Sequence, residues 1–150
     1  MQIQHTRAII TGGVSGLGFA VAQAIVKQGG KVALFDINDE KSTAALAELG
    51  SENAFYFRTD VSDEAQVEAN VLAAKEKLGG LNAAINCAGI LGAGRVLGKE
   101  APMPLKQFSG TVMVNLVGSF NVAKAAANSM QHNAEMNDKE RGVIINTASV

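Results

Sequence analysis

Five short apolar runs recur along these 150 residues, and each of the first four leads into a stretch with helical periodicity. The runs are Arg7–Thr11 (RAIIT), Lys31–Asp36 (KVALFD), Ala54–Arg58 (AFYFR), Ala83–Cys87 (AAINC) and the segment that begins at Val143–Asn146. Nothing constrains the fold more. A strand that is apolar along its whole length, without alternation, needs cover on both faces. Strands that take turns with helices become parallel neighbours joined by crossovers. Because such crossovers are right-handed, the pattern predicts an α/β fold with a doubly wound parallel sheet.

The helical stretches carry their own punctuation. Gly16–Gln28 puts Leu17, Ala20, Val21, Ala24 and Ile25 on one stripe, and Gly29-Gly30 ends it. Asp39–Leu49 stops at Gly50. Asp63–Leu78 has acids in its first turn and lysines near its end, as the helix dipole favours. From Pro104 to about Met130, Leu105, Phe108, Val112, Leu116 and Phe120 fall three or four apart. Gly110 and Gly118 lie inside that helix and mark a break or a close approach. A polar stretch, Gln131–Arg141, precedes the fifth strand. No repeat, low-complexity tract or linker divides residues 1–150, so one domain is expected.

Several function classes fall away on composition. The net charge is −1 and there is no basic block, so a nucleic-acid partner has no electrostatic support. No apolar run approaches the roughly 18 residues of a membrane span. The start, MQIQHTRAII, enters a strand at once and lacks a signal-peptide pattern. A single cysteine, Cys87, has no internal disulfide partner, which suits a reducing, cytoplasmic setting. His5 and His132 stand outside every motif, and no His/Cys/Asp/Glu spacing suggests a metal.

The chemistry-bearing motifs lie at strand ends. Thr11-Gly12-Gly13-Val14-Ser15-Gly16-Leu17-Gly18 joins the first strand to the first helix. Glycines let the backbone turn tightly and approach a ligand without a Cβ between them. The helix start directs free N–H groups and partial positive charge at an anion. Ser15 adds a hydroxyl and Leu17 an N–H. The alternative is a tight turn that binds nothing.

Asp36 ends the second strand 18 residues after Gly18, where an acid can accept hydrogen bonds from an adenosine ribose. A ribose 2′-phosphate beside it would meet like charge, at about 4 kcal/mol per pair at 4 Å and an effective dielectric near 20, before screening. Val14, Ile37 and Asn38 offer no cation, so NAD is expected over NADP. Asp60-Val61 closes the third strand and can meet the adenine, or can belong to the first turn of the next helix.

TGGVSGLG, the NCAG of Asn86–Gly89, the VNLVGSF of Val114–Phe120 and the INTAS of Ile145–Ser149 follow one another in the order and spacing of the short-chain dehydrogenase/reductases. The chain resembles that family along its whole length, and its wording is most similar to the type-2 3-hydroxyacyl-CoA dehydrogenases. The resemblance implies a Rossmann fold that is incomplete after its fifth strand. It also implies NAD-linked interconversion of a secondary alcohol and a ketone, with a 3-hydroxyacyl-CoA or related hydroxy compound as substrate. By that resemblance Gly12, Ser15, Gly16, Leu17 and Gly18 hold the pyrophosphate side of NAD, Asp36 the ribose, and Asp60 and Val61 the adenine. Asn86, Cys87, Ala88 and Gly89 line the cofactor, Cys87 mainly through its backbone. Asn115 is the family's catalytic asparagine, holding a water in a proton relay, and Ser149 hydrogen-bonds the substrate oxygen. A homotetramer is implied as well.

The family's proton acceptor is a tyrosine about a dozen residues beyond the serine, with a lysine four residues later. A positive charge there favours the phenolate. This chain has one tyrosine, Tyr56, and four residues on stands Asp60. The chain therefore reads as the N-terminal portion of an enzyme, inactive alone, with an apolar fifth-strand edge and a long helix short of its neighbour. The competing reading is a catalytically inactive NAD-binding module.

Overall fold

A computed structural model describes residues 2–136 and 139–148; Ser149 lies outside the described residues. After a 3₁₀ turn at Ile3–His5, the elements are β1 (Arg7–Thr11), α1 (Gly16–Lys27), β2 (Lys31–Asp36), α2 (Asp39–Leu49), β3 (Ala54–Arg58) and α3 (Glu64–Leu78). Then come β4 (Ala83–Asn86), α4 (Leu105–Val112), a π-helical turn (Met113–Gly118), α5 (Ser119–Met130) and β5 (Val143–Asn146). The strands form one parallel sheet in the order β3-β2-β1-β4-β5. β1 is central, and the winding reverses between β1 and β4. In a doubly wound sheet a ligand crevice opens at such a reversal. This is the Rossmann-type α/β architecture that the strand-helix alternation predicts.

Both faces of the sheet are covered. On one, Ile9, Ala33, Phe35 and Ala84 pack with Val67 and Val71 of α3 and with Val122 and Ala126 of α5. On the other, Ala8, Ile10, Leu34 and Ile85 pack with Ala22 and Ile25 of α1 and with Ala45 and Leu49 of α2. Ile9, Ile10, Leu34 and Phe35 are fully buried. Each such side chain stabilises the fold by about 1.5–3 kcal/mol relative to exposure. Phe35 also meets Phe57 edge-on at 5.8 Å.

Three local expectations change. The buried face of α1 is Gly18, Ala22 and Ile25, not the stripe from Leu17 to Ile25. The helix docks through Gly18, where an added Cβ would lie 2.4 Å from the Gly12 carbonyl oxygen, and this rotates Leu17 outward to 61% exposed. β4 ends at Asn86, because the Cys87 N–H turns to the Thr11 hydroxyl at 3.0 Å. α3 begins at Glu64, and Asp63 caps it by accepting from the Gln66 N–H at 3.0 Å.

The long helical stretch is helical throughout, but its apolar series lies outside the core. Leu105, Phe108, Leu116 and Phe120 are between 59% and 77% exposed. Gly118 is the close approach: its Cβ position lies 2.4 Å from Val61 Cγ2, whereas Gly110 faces open space. β5 pairs with β4 in register, Ile85 opposite Ile145, yet Ile145 and Asn146 are exposed. Among the described residues, no helix is long and apolar enough to cross a membrane.

Candidate functional site

A cavity of about 390 Å³ opens over the C-terminal ends of β1, β2 and β4 and the turn after β3. Its floor is the glycine turn. Thr11 leaves β1 fully buried, and Gly12 and Gly16 both take positive φ, 63° and 54°. L-side chains rarely adopt that conformation, so glycine is required there. The Gly12 N–H donates to the Phe35 carbonyl at 2.8 Å, tying the turn to β2. α1 starts at Gly16. Ser15 precedes it without making a side-chain cap, and the helix has no acid in its first turn. The first N–H groups of α1 and the Ser15 hydroxyl thus stay available to an anion. At Gly16 an added Cβ would meet nothing within 4 Å, so a group of ligand size has room beside the backbone.

Thr11 is a second organiser, which its position in an apolar strand did not reveal. Its hydroxyl oxygen accepts from the Cys87 N–H at 3.0 Å and the Ala88 N–H at 2.9 Å. That draws the end of β4 against the glycine turn. Cys87, Ala88 and Gly89 line the cavity. Asn86 does not; it is buried in the sheet, where its Nδ2 donates to the Ser119 carbonyl at 3.2 Å and to Asn146 Oδ1 at 2.8 Å. Cys87 is half-buried, with the Thr147 hydroxyl 3.5 Å from its sulfur.

Asp36 lines the rim. Its two oxygens accept from the Val14 N–H at 3.3 Å and the Asn38 N–H at 3.1 Å. The carboxylate is thereby aimed by backbone donors on both sides. No cation stands at positions 14, 37 or 38, but strand pairing sets Arg58 opposite Asp36. Its guanidinium donates to the Ile37 carbonyl and to Asp39 Oδ2, each at 2.8 Å. Asp39 Oδ1 accepts from the Tyr56 hydroxyl at 2.7 Å. That hydrogen bond, with Arg58, holds the Asp39 carboxyl below its usual range. Burial first, and then the Asp39 carboxylate, push the Tyr56 phenol well above its ordinary value.

Asp60 and Val61 line the cavity beyond Asp36. Asp60 Oδ1 accepts from the Ser62 N–H at 2.9 Å and the Ser62 hydroxyl at 2.7 Å. Asp60 therefore stands at the cavity wall and shapes the turn before α3, whose first turn begins only at Glu64. Val61 is buried, and its carbonyl accepts from Asn121 Nδ2 at 3.1 Å. Asn121 of α5 and Gly118 of the π-helical turn therefore support Val61 at the cavity wall, and the part played by Asn121 is invisible in sequence.

Asn115 sits in the π-helical turn beside Gly89. Its side-chain amide pairs with the backbone of Ile90 in both directions: Oδ1 accepts from the N–H at 2.9 Å, and Nδ2 donates to the carbonyl at 3.0 Å. The arrangement fixes the loop that leaves β4. The Ser119 hydroxyl donates to the Asn115 carbonyl at 2.8 Å. Among the described residues no group of three or more His, Cys, Asp or Glu is arranged to hold a metal.

Comparison with known proteins agrees with this fold. A family model described as short chain dehydrogenase matches residues 6–150. The chain is 41% identical over 145 residues to a 3-hydroxyacyl-CoA dehydrogenase type-2 of Bos taurus, covering 95% of this chain and 55% of the relative. It is 39% identical over 142 residues to a 2,5-dichloro-2,5-cyclohexadiene-1,4-diol dehydrogenase of Sphingobium indicum, covering 95% and 53%. The crystal structure of a 3-hydroxyacyl-CoA dehydrogenase type-2 from Mycobacterium avium superposes with a TM-score of 0.87 at 31% identity, over 97% of this chain and 58% of that one. The chain spans about half the length of the curated relatives it matches.

Proposed function

Because this chain belongs to the short-chain dehydrogenase family, we propose that it forms the NAD-binding portion of an oxidoreductase that interconverts a secondary alcohol and a ketone. The observation that carries the reading is the Asp36 carboxylate, aimed by two backbone N–H groups at the rim of a cavity floored by the glycine turn. That pairing matches an adenosine ribose next to a pyrophosphate. The residues present fit the group. The open space at Gly16 and the uncapped start of α1 suit the pyrophosphate. Asp36 suits the ribose hydroxyls, and Asp60 and Val61 suit the adenine. When bound, the nicotinamide supplies a hydride acceptor for the alcohol.

This chain's residues hold and orient. The Thr11 clamp sets Cys87, Ala88 and Gly89 along the cavity. Asn115 pins the Ile90 backbone and so fixes where the loop after Gly89 runs. We assign Ser149 to the substrate oxygen, and Asn115 to the proton path through the backbone it organises. The substrate class we favour is a 3-hydroxyacyl-CoA, after the names of the relatives, and we expect copies of the chain to associate through the exposed apolar series on α4 and α5.

Tyr56 favours a second reading. It is the sole tyrosine, and its hydroxyl is committed to Asp39 and to the Asp36 carbonyl, so it gives the site no phenolic base. On that reading the 150 residues bind NAD without turnover. Titrating the chain with NADH by calorimetry, then assaying it with NAD and 3-hydroxybutyryl-CoA, tests both. Saturable NADH binding supports the cofactor reading, and its absence refutes it. Turnover by the chain itself would refute the inactive-module reading.

A further inference from the structure

Cofactor choice is usually read from the acid at the end of β2. Here a second acid three residues on is tied to a cation that the linear sequence does not bring near the site. Parallel pairing places Arg58 opposite Asp36. An arginine stays charged at all physiological pH and offers a fork of donors suited to phosphate. Left free beside the ribose rim, it would favour a 2′-phosphate and so oppose the effect of Asp36. It is not free. Arg58 Nη1 reaches Asp39 Oδ2 at 2.8 Å and the Ile37 carbonyl at 2.8 Å. Tyr56 holds the other Asp39 oxygen from the far side at 2.7 Å and also reaches the Asp36 carbonyl at 3.0 Å. Both Asp39 oxygens are therefore engaged, and the turn 36–39 is fastened to β3.

We propose that Asp39 is a specificity-determining residue that occupies Arg58, so that the ribose rim selects against a 2′-phosphate. The inference rests on the NAD reading above and deepens it. Asp36 supplies the direct repulsion. Asp39 removes the attraction that the fold would otherwise place beside it. The Arg58–Asp39 side chains are 63% and 59% exposed, so solvent weakens the pair and a guanidinium released from it can swing toward a phosphate.

The test is calorimetric titration of NADH and NADPH into the unaltered chain, Asp39→Asn, and Asp39→Asn combined with Arg58→Ala. Asparagine keeps an oxygen for the Tyr56 hydroxyl, while it removes the charge and replaces the oxygen that accepts from Arg58 with an NH2 donor. The unaltered chain binds NADH more tightly than NADPH. Asp39→Asn keeps NADH affinity within about twofold and narrows the NADPH-to-NADH ratio by about three- to tenfold, with the narrowing reduced at high salt. The double variant abolishes the narrowing. An unchanged ratio in Asp39→Asn, with NADH still bound, overturns the inference alone. A narrowing that survives loss of Arg58 overturns it too, because simple loss of repulsion would then account for the effect. An unaltered chain that binds neither cofactor overturns the NAD reading and this inference together.

Discussion

The two halves of the sheet differ in how they finish their surfaces. On the side of β1, β2 and β3, the large apolar side chains of β1 and β2 are inside, and the acids at the end of β2 and the start of α2 are held by named donors: Asp36 by Val14 and Asn38, Asp39 by Tyr56 and Arg58. On the side of β4, β5, α4 and α5, the core beneath is just as dry, with Val122 and Ala126 fully buried. Yet Leu105, Phe108, Leu116, Phe120 and Ile145 face outward. Exposed apolar residues in such number are the raw material of a contact surface. The first half presents polar groups fixed by the backbone, and the second offers hydrophobic area with no cover among the described residues.

The largest effect expected from this contrast is on stability. Phe35→Ala should cost about 3–5 kcal/mol in urea unfolding, because the ring is fully buried against Phe57. Gly18→Ala comes next. Its Cβ would strike the Gly12 carbonyl, so the glycine turn must shift. A loss of roughly 1–3 kcal/mol is expected, together with weaker NADH binding in the same sample. Asp36→Ala should lower NADH affinity by about ten- to a hundredfold, the worth of hydrogen bonds to a charged group, while leaving the unfolding midpoint nearly unchanged. Equal losses of stability in Asp36→Ala and Phe35→Ala would erase the division between binding edge and core.

The polar cluster predicts a pH response. Tyr56 is the sole tyrosine and there is no tryptophan, so phenolate absorbance near 295 nm reports it directly. Its folded pKa is raised above the unfolded value, so the stability it contributes is complete below about pH 10 and is lost as pH rises through the folded pKa. Little phenolate should form at pH 10–11 in the folded chain, whereas in urea the midpoint returns to about 10. Asp39 has the opposite sign: its folded pKa is depressed, so its contribution is complete above the ordinary carboxylate range and is lost as pH falls through that range to the lowered value. The smallest expected effect lies on the other half. Phe120→Ser, at a site 64% exposed, should change unfolding by no more than about 0.5 kcal/mol and reduce self-association in sedimentation. A large loss of monomer stability there would sink the comparison.

Much of this was legible in sequence, for identifiable reasons. The strands announce themselves because a doubly covered strand needs unbroken apolar residues, as in RAIIT and KVALFD. The glycine turn and Asp36 were legible because each depends on chain-local geometry. Arg58, Thr11 and Asn121 were not. Arg58 reaches the rim only through strand register, Thr11 acts on β4 from 76 residues away, and Asn121 supports Val61 from the far side of the sequence. Periodicity also misjudged α1. It reports that apolar residues share a face without saying what lies opposite, so it grouped the exposed Leu17 with Ile25, which is truly in the core.

The π-helical turn has a consequence best stated as phase. An α-helix rotates about 100° with each residue, and a π turn takes one residue more to come round. Met113–Gly118 therefore offsets the azimuth of everything before it from everything after it. Behind it, Val122 and Ala126 point into the core; within it, Asn115 points at Ile90. A helix of unbroken α pitch anchored at Val122 would carry Asn115 about a quarter-turn aside. Removing one residue from this short span would let the helix close at α pitch with its two ends still in phase, whereas α pitch imposed on all six residues would leave each end folded and no longer facing its own target.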